Sequence, residues 1–169
     1  MQLLHALAKT CASFDDLNLV SHTGLVPLAA LAERAGLHDL AAAHVRPGGH
    51  PGANAGLKVA CLAVGMAAGA DSIDDMDLLR HGAMQTLFGG LRAPSTLGSF
   101  LRSFTWGNVS QLNRAHREFL ANLTREAPLL PGAGTLAFID IDSTQKRVFG
   151  YDKQGARFGH TKIQGNRCW

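Results

Sequence analysis

Two aspartates are the strongest chemical signal in this chain. Asp140 and Asp142 follow the apolar stretch Leu136-Ala-Phe-Ile and are separated only by Ile141. On a β-strand, residues i and i+2 share a face. Leu136, Phe138, Asp140, Asp142 and Thr144 would then point one way, and Ala137, Ile139, Ile141 and Ser143 the other. Two adjacent carboxylates repel each other and are costly to bury. A divalent cation resolves that conflict, and hard oxygen ligands suit Mg²⁺ or Mn²⁺. Asp140 and Asp142 are thus the candidate metal ligands. The plainer reading of the same residues is a strand end whose acids face water or cap a turn.

The elements that must position this pair are set off by two breaks, Pro47 to Gly56 and Pro131-Gly-Ala-Gly134. They divide the chain into a helical segment with its Gly/Pro linker (1–56), a second helical region (57–134) and a strand-like end (135–169). Leu25, Leu28, Leu31 and Ala35 recur at helical spacing, with Gly36 as the stop. Asp71 or Ser72 can cap a helix through Ile73, Met76, Leu79 and Arg80. Pro94-Ser-Thr96 opens another, with Leu97, Phe100, Leu101 and Phe104 on its apolar face. Leu112, Ala115, Phe119 and Leu123 make a further face. The stretch from Leu136 to Thr144 reads as a buried strand, extended by Gln145 to Phe149. Ala156 to Ile163 would return antiparallel between bends at Gly155, Gly159 and Gly165. Trp106 and the phenylalanines are assigned to the core.

Phe138-Ile-Asp-Ile-Asp-Ser-Thr144 resembles the first motif of haloacid-dehalogenase-type phosphatases, in which Asp140 would be the nucleophile and Asp142 the general acid/base. It also resembles the first catalytic strand of DDE transposases of the IS-four/IS-thirteen-eighty type, which have a ribonuclease-H-like fold. There Asp142, followed by Ser143 and Thr144, would be a catalytic metal ligand, with Asp140 beside it. The flanks favour the transposases. Val148 to Gly165, with its Lys-Gln-Gly-Ala and Gly-His, is similar to the stretch after their first aspartate. Gly69 to Arg80 looks like their acidic segment ending in Leu-Arg, and Ala93 to Arg102 like their Pro-Ser-Thr helix start. The resemblance covers about residues 25–165.

The resemblance implies a mostly α N-terminal region followed by the first strands of a truncated ribonuclease-H-like α/β domain. It implies DNA transposition, with transposon-end DNA as partner, Mg²⁺ or Mn²⁺ as cofactor in the full-length enzyme, and a homodimer or the full-length transposase as a further partner. Two aspartates and a glutamate hold two metal ions in such enzymes. Asp152 is the only acid after Asp142 here, and the chain ends at Trp169. A truncated reading frame that cannot complete catalysis alone is therefore expected. A non-catalytic DNA-binding or interfering remnant and a phosphatase fragment are the alternatives.

Charge fits a polyanion held beside the carboxylates, though a solvated basic hairpin is the plainer reading of charge alone. The chain of 169 residues carries +3, distributed as −4 over residues 1–79, +2 over 80–142 and +5 over 143–169. The candidate DNA contacts are Thr96, Arg102, Arg114 and Arg117, then Lys146, Arg147, Lys153, Arg157 and Lys162; Ser99, Ser103 and Asn108 are further donors. Leu31 to Leu37 has helix-turn-helix spacing, but the helix after it is rich in alanine and short of base-reading side chains. It is read as a packing turn.

The remaining features exclude more than they assign. With 46% apolar and only 17% charged residues, the chain is not a solvated tail. The longest apolar run, Val59 to Ala70, is too short to span a bilayer. No basic n-region and apolar h-region open these residues, so no secretory signal is expected, and Cys11, Cys61 and Cys168 form neither a disulfide framework nor a zinc pattern. A cytosolic, nucleoid-associated protein is expected. His5, His22, His38, His44, His50 and His81 lack ligand spacing. Asp71, Asp74, Asp75 and Asp77 fit a helix start and a solvated face.

Overall fold

The computed structural model describes residues 16–132 and 134–141, and the backbone of three dipeptides further on. Helix α1 (Leu25–Arg34) follows the three-and-four spacing of its leucines and stops before Gly36, whose φ of 82° is a left-handed turn that glycine adopts without strain. Ala35 in that turn is fully buried. Helix α2 (Leu37–His44) starts immediately. The pair is a packing turn, as its alanine-rich second helix predicts.

The Pro47–Gly56 stretch is shorter as a connection than its composition suggests. A 3-10 turn occupies His50–Gly52, and α3 (Ala55–Ala67) has already begun at Ala55. Gly56 belongs to that helix, and it is there for contact. A Cβ at this position would run into the His38 carbonyl oxygen and lie 2.9 Å from the Ala42 Cβ, so α2 and α3 touch backbone to backbone. Helix α3 is apolar around most of its circumference and sits centrally, packed on α1, α2, α5 and the 3-10 helix Asp74–Arg80. Lys58 is its one charge. The side chain is buried, its ammonium donates to the Pro51 carbonyl at 2.7 Å, and it lies 5.4 Å above the Phe100 ring. Burial, and then the neighbouring Arg92 charge, push its pKa below that of ordinary lysine.

The acidic stretch forms the 3-10 helix, and its start is tied locally. The Asp75 carboxylate accepts from the Ser72 N–H and hydroxyl, both at 2.8 Å, and these bonds hold its pKa below the usual carboxylate range. The short α4 (Met84–Leu87) follows. Helix α5 (Pro94–Arg102) begins with Pro94 at its first position, where the missing N–H costs nothing. Helix α6 (Trp106–Glu126) is the longest and packs on α2 and α1.

Two clusters make the core. One gathers Leu25, Cys61, Met76, Leu79, Met84 and Leu97; the other gathers Ala41, Val45, Ala55, Phe100 and Ala115. Cys61 is free, and burial raises its thiol pKa. Among the described residues no helix is long and apolar enough to cross a membrane.

The expected move into a ribonuclease-H-like α/β domain is corrected by this structure, which is helical over 60% of its described residues. No described residue from 16 to 141 lies in a strand. Residues 136–141, expected as a buried strand, run irregularly with Phe138 91% and Ile139 85% exposed. Alternating apolar residues become a strand only against a partner edge and an apolar layer, and the described residues offer this segment neither. Three dipeptides, Arg147–Val148 (β1), Arg157–Phe158 (β2) and Arg167–Cys168 (β3), pair antiparallel in the order β1-β3-β2. The first two each pair with the third and not with each other; the rest of the expected return over 156–163 lies outside the described residues. Three two-residue pieces are no α/β layer.

Candidate nucleic-acid interface

The α5–turn–α6 unit is built by its caps. The α5 face of Leu97 and Phe100 is fully buried. The helix closes on Ser103, whose hydroxyl donates to the Phe100 carbonyl at 2.6 Å. Phe104 in the turn meets Phe100 edge to face, with centroids 5.0 Å apart. Thr105 caps α6. Its N–H donates to the Asn108 Oδ1 at 2.9 Å and its hydroxyl donates to the same oxygen at 2.8 Å. The Asn108 Nδ2 in turn donates to the Arg46 carbonyl and to Gln111 Oε1, both at 3.0 Å, and that Gln111 oxygen also accepts the Arg46 N–H at 2.9 Å. One buried asparagine thus locks the start of α6 to the chain leaving α2.

Further along α6, Glu118 is shared. It accepts from Arg114 Nε at 3.1 Å and pairs with His44 Nε2 at 3.0 Å. The His44 bond, followed by that of Arg114, holds the Glu118 carboxyl below the ordinary glutamate range. Near the end of the helix, Asn122 donates to the Ala35 carbonyl at 3.1 Å and Arg34 pairs with Glu126 at 3.1 Å. One side of α6 is therefore pinned along its length. About 120° around the helix is a stripe at helical spacing: Ser110, Arg114, Arg117, Ala121 and Thr124 are all exposed. Arg117 has no hydrogen-bond or ion-pair partner among the described residues.

The sequence-predicted DNA contacts divide on this frame. Arg114 and Arg117 share the outer stripe of α6. Thr96 and Arg102 are both exposed on α5, but six residues of helix set them about 120° apart, and Arg102 leans on the Ser99 hydroxyl at 3.3 Å. Asn108 and Ser103 are corrected as DNA donors, because their polar atoms are used inside the fold. The spacing Thr-x-x-Asn ahead of an amphipathic run was the available signal, since it fits a capping box. Trp106, assigned to the core, is 54% exposed at the first position of α6. For Arg147 and Arg157 only the backbone is described, and Lys146, Lys153 and Lys162 lie outside the described residues.

Asp142, the expected first catalytic ligand, also lies outside the described residues. Asp140 is exposed on an irregular segment. The described part of the segment, 136–141, is therefore not the buried strand expected there. Among the described residues no group of three or more His, Cys, Asp or Glu side chains could hold a metal ion. Comparison of the chain with models of known protein families, with curated proteins and with solved structures finds no match.

Proposed function

We propose that this helical body is a DNA-contacting module of the DDE-transposase kind, serving DNA transposition, and that it holds duplex DNA through the outer side of α6. The observation that carries the reading is the exposed stripe of Ser110, Arg114, Arg117 and Thr124, on a helix whose other side is pinned at Asn108, Glu118 and Asn122. A rigidly held helix with arginines and hydroxyls on one free side is suited to phosphate contact, where Arg forms charge-assisted bonds. Arg117 pairs with no carboxylate among the described residues, so its charge is available to a phosphate. Arg114 shares Glu118 and contributes less. The order of the acidic segment Asp71–Arg80, the Pro94–Arg102 helix and the Asp140–Thr144 motif supports the transposase assignment. Strand cleavage in such an enzyme would rest on Asp142, with Asp140 beside it, and on further acids that this chain does not supply.

Fluorescence anisotropy with a random-sequence duplex, titrated across salt, tests it. Binding weakens steeply with ionic strength, and Arg117→Ala lowers the slope of log K against log salt by about 1. Arg114→Ala lowers it by less. A salt-independent signal, or an Arg117→Ala protein that binds like the parent, removes the reading.

A further inference from the structure

Arg46, two residues past the end of α2, is clasped by its backbone while its charge is left without a counter-ion. Its N–H donates to Gln111 Oε1 at 2.9 Å and its carbonyl accepts from the buried Asn108 at 3.0 Å, so both of its backbone polar groups are tied to the start of α6. The exposed guanidinium donates to the Ala43 carbonyl at 3.0 Å and pairs with no carboxylate among the described residues. Val45 and Pro47 on either side are buried, and Gly48 and Gly49 beyond them carry no side chain, so the adjoining chain offers little to cover it.

The two clamps set that charge beside the α6 stripe. Gln111 and Glu118 fall within about 20° of each other around the helix and about 40–60° from Arg114. They form the border between the pinned side and the exposed stripe, and the end of α2 runs along it: Glu118 pairs with His44 at 3.0 Å, and Gln111 holds Arg46. Gln111, Arg114 and Arg117 follow one another at three-residue intervals, about 4.5 Å of rise each. Arg46 therefore continues the row of Arg114 and Arg117 by about a turn towards the start of α6. The acid on this border, Glu118, is already shared between His44 and Arg114. A buried asparagine and a glutamine that fix the backbone of an exposed arginine suit phosphate contact, because ordering the position beforehand lowers the cost of binding. Resting on the DNA-contact reading of α6, we propose that Arg46 is a further phosphate-contacting residue, held by Asn108 and Gln111 so that the surface for duplex DNA runs from α6 onto the chain leaving α2.

Anisotropy of the full chain with a random-sequence duplex, titrated across salt, tests this position by its own variants. Arg46→Ala lowers the slope of log K against log salt by about 1, and the double variant with Arg117→Ala lowers it by about 2, because the two arginines meet different phosphates. Arg46→Lys, which keeps the charge, restores the slope. The denaturation midpoint of Arg46→Ala stays near that of the parent, since both clamps hold backbone atoms; Arg46→Gln serves where alanine disturbs the end of α2. Arg80→Ala, which takes the same charge from the 3-10 helix Asp74–Arg80, leaves the slope unchanged. If Arg46→Ala and Arg46→Gln keep the parent slope while Arg117→Ala lowers it, the role of Arg46 is overturned and the α6 reading stands. An equal fall in Arg80→Ala assigns the effect to net charge and overturns that role as well. A salt-independent signal removes the α6 reading, and the part given to Arg46 goes with it.

Discussion

Helix α2 and the segment 136–141 are both rich in apolar residues, and they meet opposite fates. Ala41 and Val45 at the end of α2 are essentially sealed, because α3 on one side and α6 on the other present surfaces at matching spacing. Phe138, Ile139 and Ile141 are exposed. The difference teaches that an apolar run states a capacity for burial, and that the partner surface decides whether it is used.

That contrast can be broken first at Gly56. Gly56→Val puts a branched side chain where the His38 carbonyl and Ala42 already sit, and destabilises the fold by about 3 kcal/mol in denaturant unfolding. Gly65→Ala sharpens the point, since its new Cβ runs into the flexible thioether of Met76 and touches Leu79 only at an ordinary 3.7 Å; the cost stays below about 1.5 kcal/mol. Asn108→Ala removes the link between α6 and Arg46 and leaves the Thr105 N–H and the Arg46 carbonyl without their partner. It costs about 1–3 kcal/mol, seen as a lower denaturation midpoint.

A smaller effect comes from pH. The Glu118 carboxyl is held below its ordinary range in the folded chain, so its contribution is present above the unfolded glutamate pKa and is lost as pH falls through the depressed folded value. Stability measured from neutral to acid pH therefore declines on the acid side, and Glu118→Gln flattens that part of the decline. At the other end of the scale, Phe138→Ser changes stability by no more than about 0.5 kcal/mol, because there is almost no burial to lose.

These expectations also mark what the sequence alone makes legible. The helices α1, α5 and α6 follow from leucine spacing, from Gly36 and from Pro94, because those signals act within a few residues. Gly56 sits in a Gly/Pro-rich stretch that reads as linker, and its packing role depends on α2, which no local pattern reveals. Asn108 has the chemistry of a DNA donor, yet its amide is consumed by Thr105 and Arg46, a partner far away in the chain. The strand expected at 136–144 is missing from its described part, 136–141, for the same reason as the linker: alternation is local and the layer that would cover it is not. Of the candidate interface, the arginines of α6 were legible, and their division into one paired and one unpaired side chain was not.

The bonds from α6 back to the first two helices have a consequence for how the chain matures. Ala35, His44 and Arg46 are reached by Asn122, Glu118 and Gln111, so the beginning of the body is clasped in reverse order by its last helix. On the ribosome, α1 and α2 emerge on the order of eighty residues before that clasp can close, a wait of about 4–16 s at 5–20 residues per second. For that interval the α6-facing side of α2 is bare, and nascent chains are most exposed to chaperones and to one another while it lasts.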